Sequence, residues 1–155
     1  MTAPDAVPEE TRRALVDAAR AVRPRAYAPY SGFAVGAALL AADGTVVTGV
    51  NVENASYGVG ICAERAAVLA AVGAGHRRFR AIAVAGPGAE PVTPCGACRQ
   101  FLNEFPDGPD LLVVAAGEAG DEVLALSLGE LLPHSFGPER LAPAAAGGAA
   151  REGGA

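Results

Sequence analysis

The sequence predicts a single α/β domain built on a mixed sheet of about five strands covered by helices, and three observations carry that prediction. An apolar stripe of helical period opens the chain, a hairpin signal follows it, and from Cys62 onward helix and strand patterns alternate. The stripe is Leu15, Ala18, Ala19 and Val22, at i, i+3, i+4 and i+7 between Pro8 and Pro24, with Glu9 and Glu10 in the first turn where the helix dipole favours anions. Residues 34–41 and 45–52 are apolar runs around Asp43-Gly44, which predicts two antiparallel strands. Ala63 to Val72 reads as a helix stopped by Gly73 and Gly75, and Ala81 to Ala85 as a buried strand. Pro94-Cys95 opens a further helix reaching Glu104, and Leu111 to Ala115 is a strand closed by Gly117. Val123 to Leu126 supplies a fifth strand and Leu128 to Leu132 a short last helix. Helix and strand in succession imply right-handed crossovers.

A chain of 155 residues, 51% hydrophobic and 19% charged, holds one ordinary domain with a core and is too short for two. The domain is expected over residues 8–141. Residues 1–7, and the Ala- and Gly-rich stretch 142–155 with its lack of a periodic apolar face, are expected to be disordered. Apolar runs are short, and Asp5, Glu9, Glu10, Arg12 and Arg13 stand where a signal peptide needs an apolar segment. A cytoplasmic protein with no membrane association is the expectation. Lysine is absent, which excludes Schiff-base and phosphate-loop lysine chemistry, and a net charge of -5 argues against a nucleic-acid partner.

The residues that carry chemistry open two successive predicted helices. Cys62-Ala63-Glu64 begins the first and Pro94-Cys95-Gly96-Ala97-Cys98 the second, and they contain all three cysteines. Three thiols cannot all pair within a chain, and a reducing compartment leaves them as metal ligands. Cys95 and Cys98, three apart at a helix start, can aim both sulfurs at one point, where free backbone N–H groups favour thiolates. The 33 residues from Cys62 to Cys95 accommodate a helix, a return strand and a loop, which sets two helix starts side by side beyond the ends of neighbouring strands. Open α/β sheets bind ligands there. Zinc is the best match to thiolates without redox chemistry, and three protein ligands leave the fourth position of a water-activating site. The competing reading is a structural zinc module closed by His76 or His134, neither of which lies near a cysteine at ligand spacing. Glu64 is placed to reach water on the metal; its alternative is an ordinary first-turn glutamate.

Six stretches in one order resemble the short zinc-dependent cytidine deaminases. They are Tyr30-Ser31-Gly32-Phe33, Val35-Gly36-Ala37-Ala38, Asn51-Val52-Glu53-Asn54-Ala55, Cys62-Ala63-Glu64-Arg65, Pro94-Cys95-Gly96-Ala97-Cys98-Arg99-Gln100 and Leu131-Leu132-Pro133-His134-Ser135-Phe136-Gly137-Pro138. The resemblance spans about Tyr27 to Leu141 and implies a three-layer α/β/α cytidine deaminase-like fold with one Zn²⁺ per subunit on Cys62, Cys95 and Cys98. It implies hydrolysis of cytidine and deoxycytidine to uridine and deoxyuridine, with ammonia released, in pyrimidine salvage. Water attacks C4 while Glu64 protonates N3 and then the departing amine. Three thiolates leave the metal core negative, and the resemblance gives the balancing charge to Arg65 rather than Arg99; a solvated surface arginine is the alternative for either, more so for Arg99.

For the substrate, the resemblance implies contacts from Phe33, Asn51, Glu53, Ala55, Tyr57, Ala63 and Phe136. Asn51 and Glu53, two apart on one strand face, would hold the ribose; otherwise they cap the strand exit, as Asn54 can. Ala63 would offer its backbone N–H to the pyrimidine carbonyl. The three aromatics would be packing residues on their own account. By resemblance Tyr57 and Phe136 enter from neighbouring subunits, so a homotetramer with shared active sites is expected. A deaminase of blasticidin S or another aminopyrimidine keeps the same cysteine core, but has no use for a ribose pair.

Overall fold

The computed structural model describes residues 7–141. The disorder expected of residues 1–6 and 142–155 lies outside those residues. Val7, assigned to the N-terminal tail, is buried in the core beside Leu15 and Val16.

Helix α1 (Glu9–Val22) has Glu9 and Glu10 in its first turn and Arg20 in its last, each matched to the dipole. It gives way to a short 3₁₀ turn at Arg23–Arg25, where Pro24 has no N–H to extend the ladder. Its buried face is Leu15, Val16 and Ala19, rotated slightly from the expected stripe because Val16 displaces Ala18 at the centre of the contact. Strands β1 (Gly36–Ala41) and β2 (Val46–Val50) pair antiparallel as expected. Gly44 turns the chain at φ 92°, and the Asp43 carboxylate accepts from the Thr45 N–H at 2.9 Å.

Helix α2 (Ala63–Gly73), strand β3 (Phe79–Gly86), helix α3 (Gly96–Leu102), strand β4 (Leu112–Gly117), strand β5 (Val123–Ser127) and helix α4 (Leu128–Leu131) follow. Ser127 and Glu130 start α4 with a reciprocal capping box. The sheet order is β2-β1-β3-β4-β5, antiparallel except for β3 with β4, which are separated by α3.

The central strands β1 and β4 are buried at every position, and β3 at all but Arg80, because both sheet faces are covered. Leu39, Ile82, Val84 and Val113 pack with Ala67, Val68 and Ala71 of α2 on one side. Ala38, Leu40, Ala83, Ala85 and Val114 pack with Leu15 and Ala19 of α1 on the other. Burial of each larger aliphatic contributes about 1.5–3 kcal/mol.

Two glycines set how closely the helices approach. A Cβ on Gly36 would stand 2.1 Å from the Ala19 carbonyl oxygen of α1, and one on Gly49 would stand 2.4 Å from the Ala67 nitrogen of α2. The helix backbones therefore rest directly on β1 and β2, from opposite faces.

This topology places the functional residues. Val50 pairs with Gly36, Gly36 with Ala85, and Gly86 with Gly117, so β2, β3 and β4 all leave the sheet at the same end. The chain then starts α2 after β2 and α3 after β3. Both helix N-termini, with Cys62 and Cys95 at the capping positions, consequently begin at that end.

Candidate active site

Cys62, Cys95 and Cys98 converge, with their sulfurs all within 4.8 Å of one another. A tetrahedral zinc with Zn–S bonds of about 2.3 Å sets its sulfurs about 3.8 Å apart, and Cys62 and Cys95 lie at 3.9 Å. The donor set is thus both chemically and dimensionally suited to Zn²⁺. Among the described residues the cluster gathers no histidine: His76 lies 3.4 Å from Asp43 at the β1–β2 turn, and His134 is exposed. Three cysteine ligands, with no fourth member in the cluster among the described residues, describe an open site.

Charge around the sulfurs is divided unevenly. Cys62 is drawn down to about 5, first by a hydrogen bond from Cys98 and then by Arg65 and Cys95. Cys98 is pushed up, first by that same bond with Cys62 and then by burial. A divalent cation removes this opposition, because it favours all three thiolates together. Arg65 donates through Nη2 to Cys62 Sγ and to the Gly60 carbonyl, each at 3.5 Å. Its Nε is buried and has no acceptor among the described residues, a donor still available to a thiolate cluster.

Glu64, only 5% exposed, is buried on the same face of α2 as Ala63, Ala67 and Val68. Burial raises its pKa above the ordinary carboxylate value, reinforced by the Cys62 charge, while its contact with Cys98 works in the opposite direction. A buried carboxyl adjoining the Cys62 and Cys98 sulfurs is placed to hold and release a proton.

Asn51 and Glu53 are brought to this end of the molecule by backbone pairing. Val52 and Ile61 exchange hydrogen bonds of 2.9 and 3.0 Å, which folds residues 51–53 against the residue preceding Cys62. On the other side, Tyr27 donates to the Asn51 carbonyl at 3.0 Å and accepts from the Glu53 N–H at 2.8 Å. Both side chains brace the loop at 30–35. Asn51 accepts from the Val35 N–H and donates to the Phe33 carbonyl, each at 2.8 Å. Glu53 accepts from the Tyr30 and Ser31 N–H groups and, at 2.5 Å, from the Ser31 hydroxyl, which holds its pKa low. These bonds leave lone-pair capacity on both side chains toward a hydroxyl. Asn54 forms a local turn by accepting from the Ser56 N–H at 2.8 Å.

A cavity of about 390 Å³ opens here, lined by Tyr30, Ser31, Glu53, Asn54, Tyr57 and Gly60. Tyr30 and Tyr57 meet edge to face, with centroids 5.7 Å apart. Ala63 is fully buried at the start of α2, and Ala55 is exposed in the loop after β2. Phe33, Tyr57 and Phe136, at 46%, 79% and 59% exposure, all stand at the protomer surface and form no part of its core.

Two contributors were not legible beforehand. Ser31 supports both Glu53 and the Phe33 N–H; the sequence signals for it were its place beside Gly32 and in the stretch Tyr30-Ser31-Gly32-Phe33, and neither assigned it a role. Arg99 does not take the alternative of a solvated surface arginine. Its guanidinium is partly buried and donates to the Pro94 and Leu131 carbonyls and the Thr93 hydroxyl. Two of those acceptors are backbone atoms, and one lies 32 residues away, so no local pattern reports them.

Comparison with known proteins gives a consistent result. The family described as "Cytidine and deoxycytidylate deaminase zinc-binding region" matches residues 9–115. The cytidine deaminase of Sporosarcina psychrophila is 45% identical over 133 residues, covering 84% of this chain and 95% of that protein. Among solved structures, a cytidine deaminase from Burkholderia pseudomallei shares 53% identity at a TM-score of 0.76, covering 80% of this chain and 98% of that one. A cytidine deaminase from Mycobacterium tuberculosis shares 44% at a TM-score of 0.71, covering 81% and 96%.

Proposed function

The chain belongs to the cytidine deaminase family, and we propose that it deaminates cytidine and deoxycytidine hydrolytically to uridine and deoxyuridine, releasing ammonia. The observation that carries this reading is the convergence of three cysteine sulfurs, without a fourth ligand in the cluster among the described residues, beside a buried carboxyl two residues from the first of them. Cys62, Cys95 and Cys98 hold the zinc, which when bound supplies the Lewis acidity that makes water a nucleophile near neutral pH. Glu64 takes the proton that water gives up, delivers it to N3 of the ring and then carries a proton to the leaving amine, so that the C4–N bond breaks with neutral ammonia departing. Burial keeps this carboxyl from exchanging its proton with bulk water. Arg65 offsets the negative charge of the thiolates and remains protonated throughout, supported by its bond to Cys62.

Asn51 and Glu53 take the ribose hydroxyls with the lone pairs that loop bracing leaves free. The Ala63 N–H, in the first turn of α2, takes the pyrimidine carbonyl, and Phe33 and Ala55 flank the nucleoside. Tyr57 and Phe136 complete the sites of neighbouring subunits in a homotetramer; their exposure in the protomer supports this assignment. Pyrimidine salvage in the cytoplasm is the setting that suits the reaction and the free thiols. No helix among the described residues is long and apolar enough to cross a membrane.

The test is the ultraviolet absorbance of cytidine mixed with the purified, zinc-loaded protein, beside a Glu64→Ala control. Cytidine is expected to convert to uridine, with turnover in the control lower by about 10²–10⁴-fold and zinc retained. Inert cytidine despite stoichiometric zinc would end the deaminase reading. Wild-type turnover in the control would remove Glu64 from its role.

A further inference from the structure

We infer that Arg99 is a positioning residue, holding the turn that presents Cys95 and, through the same guanidinium, the segment that presents Phe136. Nε donates to the Pro94 carbonyl at 2.7 Å, Nη2 to the Thr93 hydroxyl at 3.1 Å and Nη1 to the Leu131 carbonyl at 2.8 Å. The Pro94 carbonyl belongs to the peptide unit shared with Cys95, so the first bond fixes the plane from which that ligand projects. The Leu131 carbonyl is the last of α4 and has no partner within the helix, so the third bond caps it.

Neighbouring side chains of α3 hold the other end of the same segment. Gln100 donates to the Phe136 carbonyl at 2.8 Å and Asn103, almost fully buried, donates to it at 3.4 Å and accepts from the Ser135 hydroxyl at 3.4 Å. A seven-residue helix with its C-cap residue thus carries zinc ligands at and near its N-terminus and grips the segment 131–136. Only a planar fork reaches three acceptors in these fixed directions; an ammonium on a flexible stem does not.

This role rests on the zinc deaminase reading, but its first readout does not depend on turnover. In zinc-loaded full-length protein, zinc transfer to excess pyridylazo dye is timed for wild type, Arg99→Met, Arg99→Lys, Thr93→Val and Gln100→Ala, and KM and kcat for cytidine are measured separately. Arg99→Met is expected to lose zinc about 10–100-fold faster, the usual consequence of removing a group that orients a metal ligand. Arg99→Lys should remain well short of wild type, and Thr93→Val should move in the same direction by less. Gln100→Ala, which removes the hydrogen bond to the Phe136 carbonyl, should raise KM with zinc transfer unchanged. Wild-type transfer rates in both Arg99→Lys and Thr93→Val overturn the inference even if Arg99→Met fails to fold. Equal acceleration by Gln100→Ala also overturns it, because that would indicate general loosening. Inert cytidine would sink the deaminase reading yet leave the zinc-transfer comparison intact.

Discussion

Gly49→Ala tests how the fold positions the chemistry. The added Cβ would stand 2.4 Å from the Ala67 nitrogen, 2.5 Å from the Ala63 carbonyl oxygen and 2.9 Å from the Ala67 Cα. Carbon contacts are comfortable only at about 3.5–4.0 Å, so α2 must retreat from β2 by roughly 1 Å. The obstructing atoms are helix backbone, and no side-chain rotamer relieves them. Overpacking of this kind costs about 1–3 kcal/mol, and a rigid obstacle places this site at the upper end. At about 2–4 °C per kcal/mol for a chain of this size, Tm should fall by about 6–12 °C. Ala63 lies between Cys62 and Glu64, and misplacement of reacting groups by about 1 Å can cost about 10²-fold in rate. Thermal unfolding at fixed zinc and protein concentration, paired with turnover at saturating cytidine, measures both effects. Gly73→Ala is the control: among the described residues nothing beyond its chain neighbours and its own helix backbone lies within 4 Å of its would-be Cβ, and Tm should hold or rise. A Gly49→Ala protein with Tm within about 2 °C of wild type and unchanged turnover would refute the close-approach argument.

Cys62→Ala should lose both zinc and activity; tightly bound stoichiometric zinc in that variant, measured by elemental analysis, would mean that the ligands are wrongly assigned. Glu53→Gln should raise KM for cytidine more than it lowers kcat. Because the folded pKa of Glu53 is depressed, its ionised form stabilises the protein above the unfolded value, and that contribution disappears as pH falls through the folded value. The gap in Tm between wild type and Glu53→Gln should therefore narrow as pH drops below about 4.3; a gap that widens contradicts the bracing role. Phe136→Ala should raise KM while each subunit keeps its zinc, and light scattering should report a tetramer for the wild type; a fully active monomer would remove the shared-site assignment.

The elements were legible because each rests on short-range rules. A 3.6-residue stripe between two prolines predicted α1, Asp43-Gly44 predicted the hairpin, and glycines marked the end of α2. The metal ligands were legible for a related reason: Cys95 and Cys98 share one turn, and thiols in an odd number have few other uses. What could not be read were the contacts of Arg99, Gly36 and Gly49, whose partners are mostly backbone. The carbonyls that Arg99 holds belong to proline and leucine, and any residue would present the same oxygen. The contacts at Gly36 and Gly49 are likewise with helix main chain. By itself the sequence determined the element types, the donor set for zinc and the carboxylate beside it, since those follow from side-chain identity and local period. Only the tertiary structure decided the strand order, the 3.9 Å approach of Cys62 to Cys95 across 33 residues, and the loop-bracing duties of Asn51 and Glu53. Long-range distances are set by how whole faces pack, and backbone acceptors carry no signature in the residue that supplies them.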